Sequence, residues 1–340
     1  MVYITENAIK YYEMNQNSLN IAYSFDDGYA QHAAVSIVSL LENNKDIENI
    51  TVHIITNALN KENTQRIEEI VGRYGRKVRY HELDTLTKQM KTSTSFNRSA
   101  YGRIFLDSLT DISRIIYVDS DTVIEGSLKE LIMFNMTDSI VAGVQDTVNP
   151  YYIIDIGLDH TYRYINDGGV IILNLDLWRE MNITSKCIDF VYRFNGNPPH
   201  NDQGTINAVC AGHIKILPPN YNVMPPMFCF TNKQIKSLFK MRSYYTQEEL
   251  DNAIKKPIVI HYTDEFFNRP WFENCTHPLK DLYLKYLELT PWRGCQLPHK
   301  SLTRNCKIQN WVYNNCPFFV YKLMVRFIEV KHRLKISRRK

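Results

Sequence analysis

At 340 residues and 44% apolar content, the chain can bury a full-sized core, and one large α/β domain with an appendage fits better than two equal domains. Its seven cysteines, at 187, 210, 229, 275, 295, 306 and 316, are odd in number and lack a Cys-x-x-Cys pair, which argues against a disulfide framework or zinc site and for a reducing compartment. The formal charge of +4 is uneven: residues 304–340 hold ten Lys or Arg and one acid, Glu329, so the tail carries +9 and the preceding 303 residues about −5.

Residues 1–20 contain no apolar h-region, and no run of roughly 18 apolar residues occurs, so a cytoplasmic protein without a spanning helix is expected. A short strand over 20–25 stops at Asp26-Asp27-Gly28. A helix over 29–44 follows, with Ala33, Ala34, Ile37, Val38 and Leu41 on one face. A strand over 51–55, a helix over 61–74 ended near Gly75, and a third strand over 77–83 complete an alternation that signals an open parallel sheet with covering helices. Beyond it the pattern predicts a helix over 99–109 and apolar strands over 114–118, 140–144, 170–175, 213–217 and 257–261. The unbroken apolar character of 140–144 and 170–175 suits burial on both faces. No linker precedes about residue 297, which divides the chain into a catalytic domain over 1–296 and a basic segment over 297–340.

The run Arg114-Ile-Ile-Tyr-Val-Asp119-Ser120-Asp121-Thr-Val-Ile is the most informative stretch. In an extended backbone, residues i and i+2 point the same way, so Asp119 and Asp121 converge at the carboxyl end of a strand, where open α/β sheets bind ligands. Two oxygen ligands with open positions suit Mg²⁺ or Mn²⁺, which can bridge diphosphate oxygens and stabilise a departing nucleotide. A solvated turn is the plain alternative. A sharper one is the opening motif of haloacid-dehalogenase-type phosphohydrolases, with Asp119 as nucleophile. That reading needs a later Lys and acidic pair, and no clean Asp-Asp ends a later strand.

Several further runs stand in order along the chain. They are Ala22-Tyr-Ser24-Phe-Asp26-Asp27-Gly-Tyr29-Ala, Tyr101-Gly-Arg103, Tyr117-Val-Asp119-Ser120-Asp121, Asn166-Asp167-Gly168-Gly169-Val170, Asn201-Asp202-Gln203, Tyr221-Asn222-Val-Met224, and His261-Tyr262 followed by Arg269-Pro270-Trp271. Together, over about residues 21–292, they resemble glycosyltransferase family 8, the family of bacterial lipopolysaccharide galactosyl- and glucosyltransferases and of glycogenin. The resemblance implies a glycosyltransferase A-type nucleotide-binding fold, a mixed, mostly parallel sheet flanked by helices. It also implies a retaining transfer from a UDP-hexose, UDP-galactose or UDP-glucose, to a lipid-linked or lipopolysaccharide glycan.

Residue by residue, the resemblance makes Asp119, Asp121 and His261 the metal ligands, and a nitrogen ligand tilts the choice from Mg²⁺ toward Mn²⁺. Ser24, Asp26 and Tyr29 fall in its nucleotide-binding turn, with Asp26 placed to accept from uracil or ribose. Arg103 and Ser120 belong to its helix and metal motif, and Asn166, Asp167 and Gly168 to its donor-sugar loop. Asp202 holds sugar hydroxyls, Gln203 faces the reacting carbon, and Asp146 is an acid near the sugar. Each has a plainer reading as turn acid, solvated Arg, core His, N-cap or loop acid.

Two departures bear on the donor sugar. Asp167 stands where the family usually has Asn, and the end motif here, from His261 to Trp271, is two residues longer, lacks its Gly and has Arg269 for Lys. An inactive nucleotide-sugar-binding scaffold is the third alternative. The tail from residue 311 places Phe318, Phe319, Val320, Met324, Phe327 and Ile328 among Lys322, Arg326, Lys331, Arg333 and Arg338. That is a basic amphipathic helix suited to an anionic inner membrane surface. No nucleic-acid motif accompanies the charge, so nucleic acid is not expected as a partner.

Overall fold

The computed structural model describes residues 18–57, 59–87 and 98–337. The leader reading of residues 1–20 falls almost wholly, and Arg338 wholly, outside them. Strand β1 (Ser18–Ser24), helix α1 (Ala30–Asn43), β2 (Asn49–Thr56), helix α2 (Lys61–Arg73) and β3 (Lys77–Glu82) follow the predicted alternation. Asn60 caps the start of α2, its side chain accepting from the Asn63 amide. Then come β4 (Arg114–Val118), β5 (Thr122–Ile124), β6 (Val141–Val144), helix α3 (Pro150–Asp155), β7 (Val170–Asn174), helix α4 (Asn201–Val209), β8 (Ile214–Leu217) and β9 (Val259–His261).

Seven strands form one sheet in the order β3-β2-β1-β4-β7-β6-β8. All pair in parallel except β7, which runs antiparallel to both β4 and β6. The apolar runs are buried on both faces, as their composition requires. Ile116 and Val118 of β4 and Val170 and Ile172 of β7 point into one core. The alternating Ile115, Tyr117, Ile171 and Leu173 point into the other.

Two expectations are corrected. The strand predicted over 257–261 is not part of the main sheet: β9 pairs antiparallel with β5, in the register Thr122↔His261. The stretch read as a helix over 99–109 is a 3₁₀ helix, Arg98–Ser108. Six consecutive residues from Tyr101 are buried, so no single polar face sets an α-helical period. Gly102 lies so close to β1 that a Cβ there would stand 2.6 Å from the Ser24 hydroxyl.

The tail forms two helices rather than one, α5 (Arg304–Asn315) and α6 (Phe318–Ser337). They break at Cys316, which is extended (φ −117°, ψ 153°) as a residue before proline favours. Val312, Tyr313, Phe318, Met324 and Val325 pack against the main core, while Trp311, Phe319, Leu323, Phe327 and Val330 are exposed. Among the described residues no helix is long and apolar enough to cross a membrane.

Candidate active site

Every element that ends at the carboxyl edge of the sheet near β4 delivers a polar side chain there. Asp119 follows β4 directly, and its amide donates to the Gly168 carbonyl at 3.0 Å. That bond ties the Asp-Ser-Asp turn to the loop entering β7. The β5–β9 pairing then brings His261 opposite Thr122, and the Tyr262 amide donates to the Asp121 carbonyl at 2.9 Å. Asp119, Asp121 and His261 thus each offer a ligand atom within 4.8 Å of the others.

The donor set fits a divalent ion on three counts. Two carboxylates and an imidazole suit Mn²⁺ or Mg²⁺. The His261 ring is oriented from behind: its Nδ1 lies 3.2 Å from Asn222 Oδ1, leaving Nε2 on the side of Asp121 Oδ1, also 3.2 Å away. Gly168 keeps the space open, since a Cβ there would come within 2.7 Å of Asp119 Oδ2 and 3.1 Å of His261 Cε1.

Arg103, 4% exposed, is the counter-charge of the site. Its Nη2 donates to Asp119 Oδ1 at 2.9 Å, its Nη1 to the Asp167 carbonyl and lies 3.3 Å from Asp167 Oδ1, and its Nε lies 3.4 Å from Asp202 Oδ2. The guanidinium also stands 4.2 Å over the Tyr117 ring. Burial opposes its charge, but Asp119 and Asp167 outweigh that and hold it firmly protonated. Burial pushes the Asp119 carboxyl up to about 6, with Arg103 opposing and the like charge of Asp121 adding. Asp121 is held below the ordinary range despite burial, because His261 and Arg269 both face it; the Arg269 Nη1 pairs with its Oδ2. His261 is raised in turn: burial works against its charge, and Asp121 more than compensates. Asp167, buried among these acids, is pushed well up.

A second network leads from the Asp119–Asp121–His261 cluster toward the predicted catalytic residues. Asn222 Nδ2 donates to Asn166 Oδ1 at 3.0 Å, and that oxygen also accepts from the amides of Gly168 (3.1 Å) and Gly169 (3.0 Å). Asn166 Nδ2 donates to Asp146 Oδ2 at 3.2 Å, and Gln203 Nε2 donates to the same oxygen at 2.6 Å. Gln203 and Asp202 lie in the first turn of α4, entered through the left-handed pair His200 (φ 58°) and Asn201 (φ 50°).

On the opposite side, a cavity of about 210 Å³ adjoins Asp119 and Asp121. Ser24, Asp26, Tyr29 and Arg103 line it, together with Ser120, whose buried hydroxyl has no hydrogen-bond partner among the described residues. Asp27 does not compete with Asp26 for this space, because its carboxylate holds Asn60 and Asn63. Of the predicted set, Asp167 and Asn166 are turned inward, onto Arg103 and onto the loop amides respectively, and both are buried.

Sequence reasoning passed over two residues. Asn222 lay within a quoted motif but was given no role, because its function as the strut of His261 exists only through packing. Glu265 is exposed beside the same cleft; its place against the protein and the charge of Asp146 raise its carboxyl above the ordinary range, with His261 opposing. The two extra residues of the end motif were the signal for it.

The description Glycosyl transferase family 8 matches residues 20–275. The chain belongs to that glycosyltransferase family. It is 30% identical over 268 residues to a putative glycosyltransferase of Haemophilus influenzae, covering 76% of this chain and 75% of that one. It is 28% identical over 299 residues to the lipopolysaccharide 1,2-glucosyltransferase of Escherichia coli, covering 85% and 83%. The galactosyltransferase LgtC, solved with donor and acceptor sugar analogues, superposes with a TM-score of 0.66 at 19% identity over 85% of this chain and 99% of that one. The glycosyltransferase A-type fold is therefore the observed one, and membership of family 8 sets aside the phosphohydrolase and the inactive scaffold.

Proposed function

We propose that this family 8 enzyme is a retaining, metal-dependent hexosyltransferase that moves galactose or glucose from its UDP donor to a glycan of lipopolysaccharide or another surface polysaccharide. The observation that carries this reading is the convergence of Asp119, Asp121 and His261 beside the Asn166–Asp146–Gln203 network. Asp119, Asp121 and His261 would hold Mn²⁺ or Mg²⁺, which when bound supplies Lewis-acid stabilisation of diphosphate oxygens. Ser24, Asp26, Tyr29 and Ser120 line the adjoining cavity, which would take the nucleoside. Arg269, now on Asp121, is close enough to exchange that carboxylate for a donor phosphate.

Retention by double displacement would need a carboxylate facing the anomeric carbon, and the candidate position is Gln203, an amide. The reading is therefore a front-face substitution. The acceptor oxygen bonds to the anomeric carbon, the bond from that carbon to the phosphate oxygen breaks on the same face, and the departing diphosphate takes the acceptor's proton. Arg269 and His261 face the charge that develops. A sugar ester trapped on Asp146, Asp167 or Asp202 would overturn this mechanism.

Calorimetric titration of UDP-galactose and UDP-glucose, with Mn²⁺ and then with EDTA, tests the proposal. Binding that requires metal is expected, and the tighter sugar identifies the donor. Failure of both sugars to bind in Mn²⁺ would remove the reading.

The protein is further proposed to work in the cytoplasm on an anionic membrane surface, through the 297–340 segment. On α6, the exposed Phe319, Leu323, Phe327 and Val330 recur four, four and three residues apart, as one helical stripe flanked by Lys322, Arg326 and Lys331. Each buried aromatic contributes up to about 1.5–3 kcal/mol. Phe319→Ser/Phe327→Ser is thus expected to lower partitioning onto phosphatidylglycerol-containing vesicles at least about tenfold in a cosedimentation assay. Unchanged partitioning would locate any membrane contact elsewhere.

A further inference from the structure

Between α3 and the paired tail helices lies a second groove, of about 380 Å³, within the size range of small-ligand sites. Its walls are aromatic, with Tyr151 and Tyr152 on one side and Tyr321 on the other, and its polar groups are Gln309 and Glu329. Glu329 is the sole acid of the basic tail, and it is fixed in place: Asn149 Nδ2 donates to its Oε1 at 2.6 Å and Lys240 Nζ to its Oε2 at 3.1 Å.

Two structural links join the groove to the catalytic side. Asn149 follows Asp146 by three residues, so the groove's rim lies within about 11 Å of that acid along the chain. In addition, a ladder of rings leads from the groove to α4. Tyr151 packs on Tyr152 (4.5 Å between centroids), Tyr152 stacks on His200 (4.9 Å), and His200 immediately precedes Asn201-Asp202-Gln203. His200 is held by the Tyr164 hydroxyl at 2.9 Å.

We infer that this groove is a saccharide subsite, which holds the part of the acceptor glycan beyond the sugar that receives the transfer. The inference rests on the acceptor being a glycan, as proposed above. Flat aromatic rings beside a fixed carboxylate and an amide match a sugar, whose C–H faces pack on rings and whose hydroxyls donate to carboxylates. The two faces of α6 are divided accordingly. Tyr321, Val325, Ile328 and Glu329 line the groove, and the stripe Phe319, Leu323, Phe327 and Val330 lies on the opposite face. One helix would thus meet the lipid surface on one side and the glycan it anchors on the other.

The test is saturation-transfer NMR of the full chain with core oligosaccharide released by mild acid from truncated-core lipopolysaccharide. Tyr152→Ala and Gln309→Trp, the latter filling the groove, are compared with wild type, and UDP-hexose binding is followed by calorimetry in parallel. The expected result is oligosaccharide binding by wild type, weakened at least tenfold in both variants, with UDP-hexose binding unchanged. No oligosaccharide binding by wild type, or undiminished binding by Gln309→Trp, overturns the subsite. Loss of UDP-hexose binding alone, in wild type, counts against the proposed donor chemistry and leaves the subsite standing.

Discussion

Replacing Arg103 by methionine is expected to abolish transfer and to destabilise the protein by about 3–5 kcal/mol at neutral pH, the usual cost of leaving buried charges without their partner. The guanidinium meets Asp119, Asp167 and Asp202 at once. Without it, these three carboxylates face one another with little counter-charge, so they must take up protons or the site must open. The pH dependence follows. In the variant the carboxyls of Asp119 and Asp167, already raised by burial, lose the opposing charge of Arg103 and rise further, so the native state binds more protons than the unfolded chain and stability falls as pH rises through the ordinary carboxylate range and above it. Arg103→Lys should recover part of the stability, because a single ammonium can meet one acid but cannot fork toward three. Urea unfolding at pH 5 and pH 7.5 measures both effects. A methionine variant within about 1 kcal/mol of wild type at pH 7.5, the range of an ordinary surface change, would show that Arg103 is not the electrostatic hub.

The route by which Arg103 becomes visible separates what the sequence discloses from what only the fold supplies. The Asp119–Asp121 pair is legible because it is local to the end of an apolar strand, although a turn, and not the extended backbone expected, brings the two carboxylates together. The sheet is legible for the same reason, since β4 and β7 hold unbroken apolar runs and β1 and β2 are short, mostly apolar segments with polar residues interspersed. His261 could be joined to the pair only through the family resemblance. Its partner strand β5 is three residues long and carries no independent signal, so the pairing that delivers the ligand is a tertiary fact. Arg103 was identified as a helical residue, and its simultaneous contact with three acids from three separate segments has no sequence period. Asn222 is hidden more deeply. It matters because Gly169 lacks a Cβ, which would fall 2.0 Å from the Asn222 amide oxygen, and because one amide then spans from His261 to Asn166. The tail is a case where period misleads. The apolar pattern reads continuously from residue 311, but Pro317 divides it into two helices, and each helix carries both residues that pack on the body and residues that face outward.

The double variant Asp119→Ala/Asp121→Ala is expected to remove Mn²⁺ binding altogether, and with it metal-dependent binding of the UDP-sugar. In wild type the same site should disclose its ligands through protons. Asp119 is pushed up to about 6 and His261 is raised above its usual value, while Asp121 is held low. A metal ion takes the deprotonated forms of carboxylate and imidazole, so binding at low pH must displace protons from both Asp119 and His261. The three groups face one another and titrate as a cluster, so the steps belong to the site rather than to single residues. Affinity should therefore fall as pH drops, by more than the roughly fivefold between pH 6 and pH 5 that a single proton competing at Asp119 gives. Asn222→Ala, which removes the strut behind His261, should weaken Mn²⁺ binding roughly 10- to 100-fold at pH 7.5 while leaving the acid limb in place, because Asp119 still titrates. Free Mn²⁺ measured by electron paramagnetic resonance across this range decides the matter. A pH-independent affinity would mean that the ion is held by groups other than Asp119 and His261, since no carboxylate–imidazole site with these raised values can bind metal at pH 5 without releasing protons.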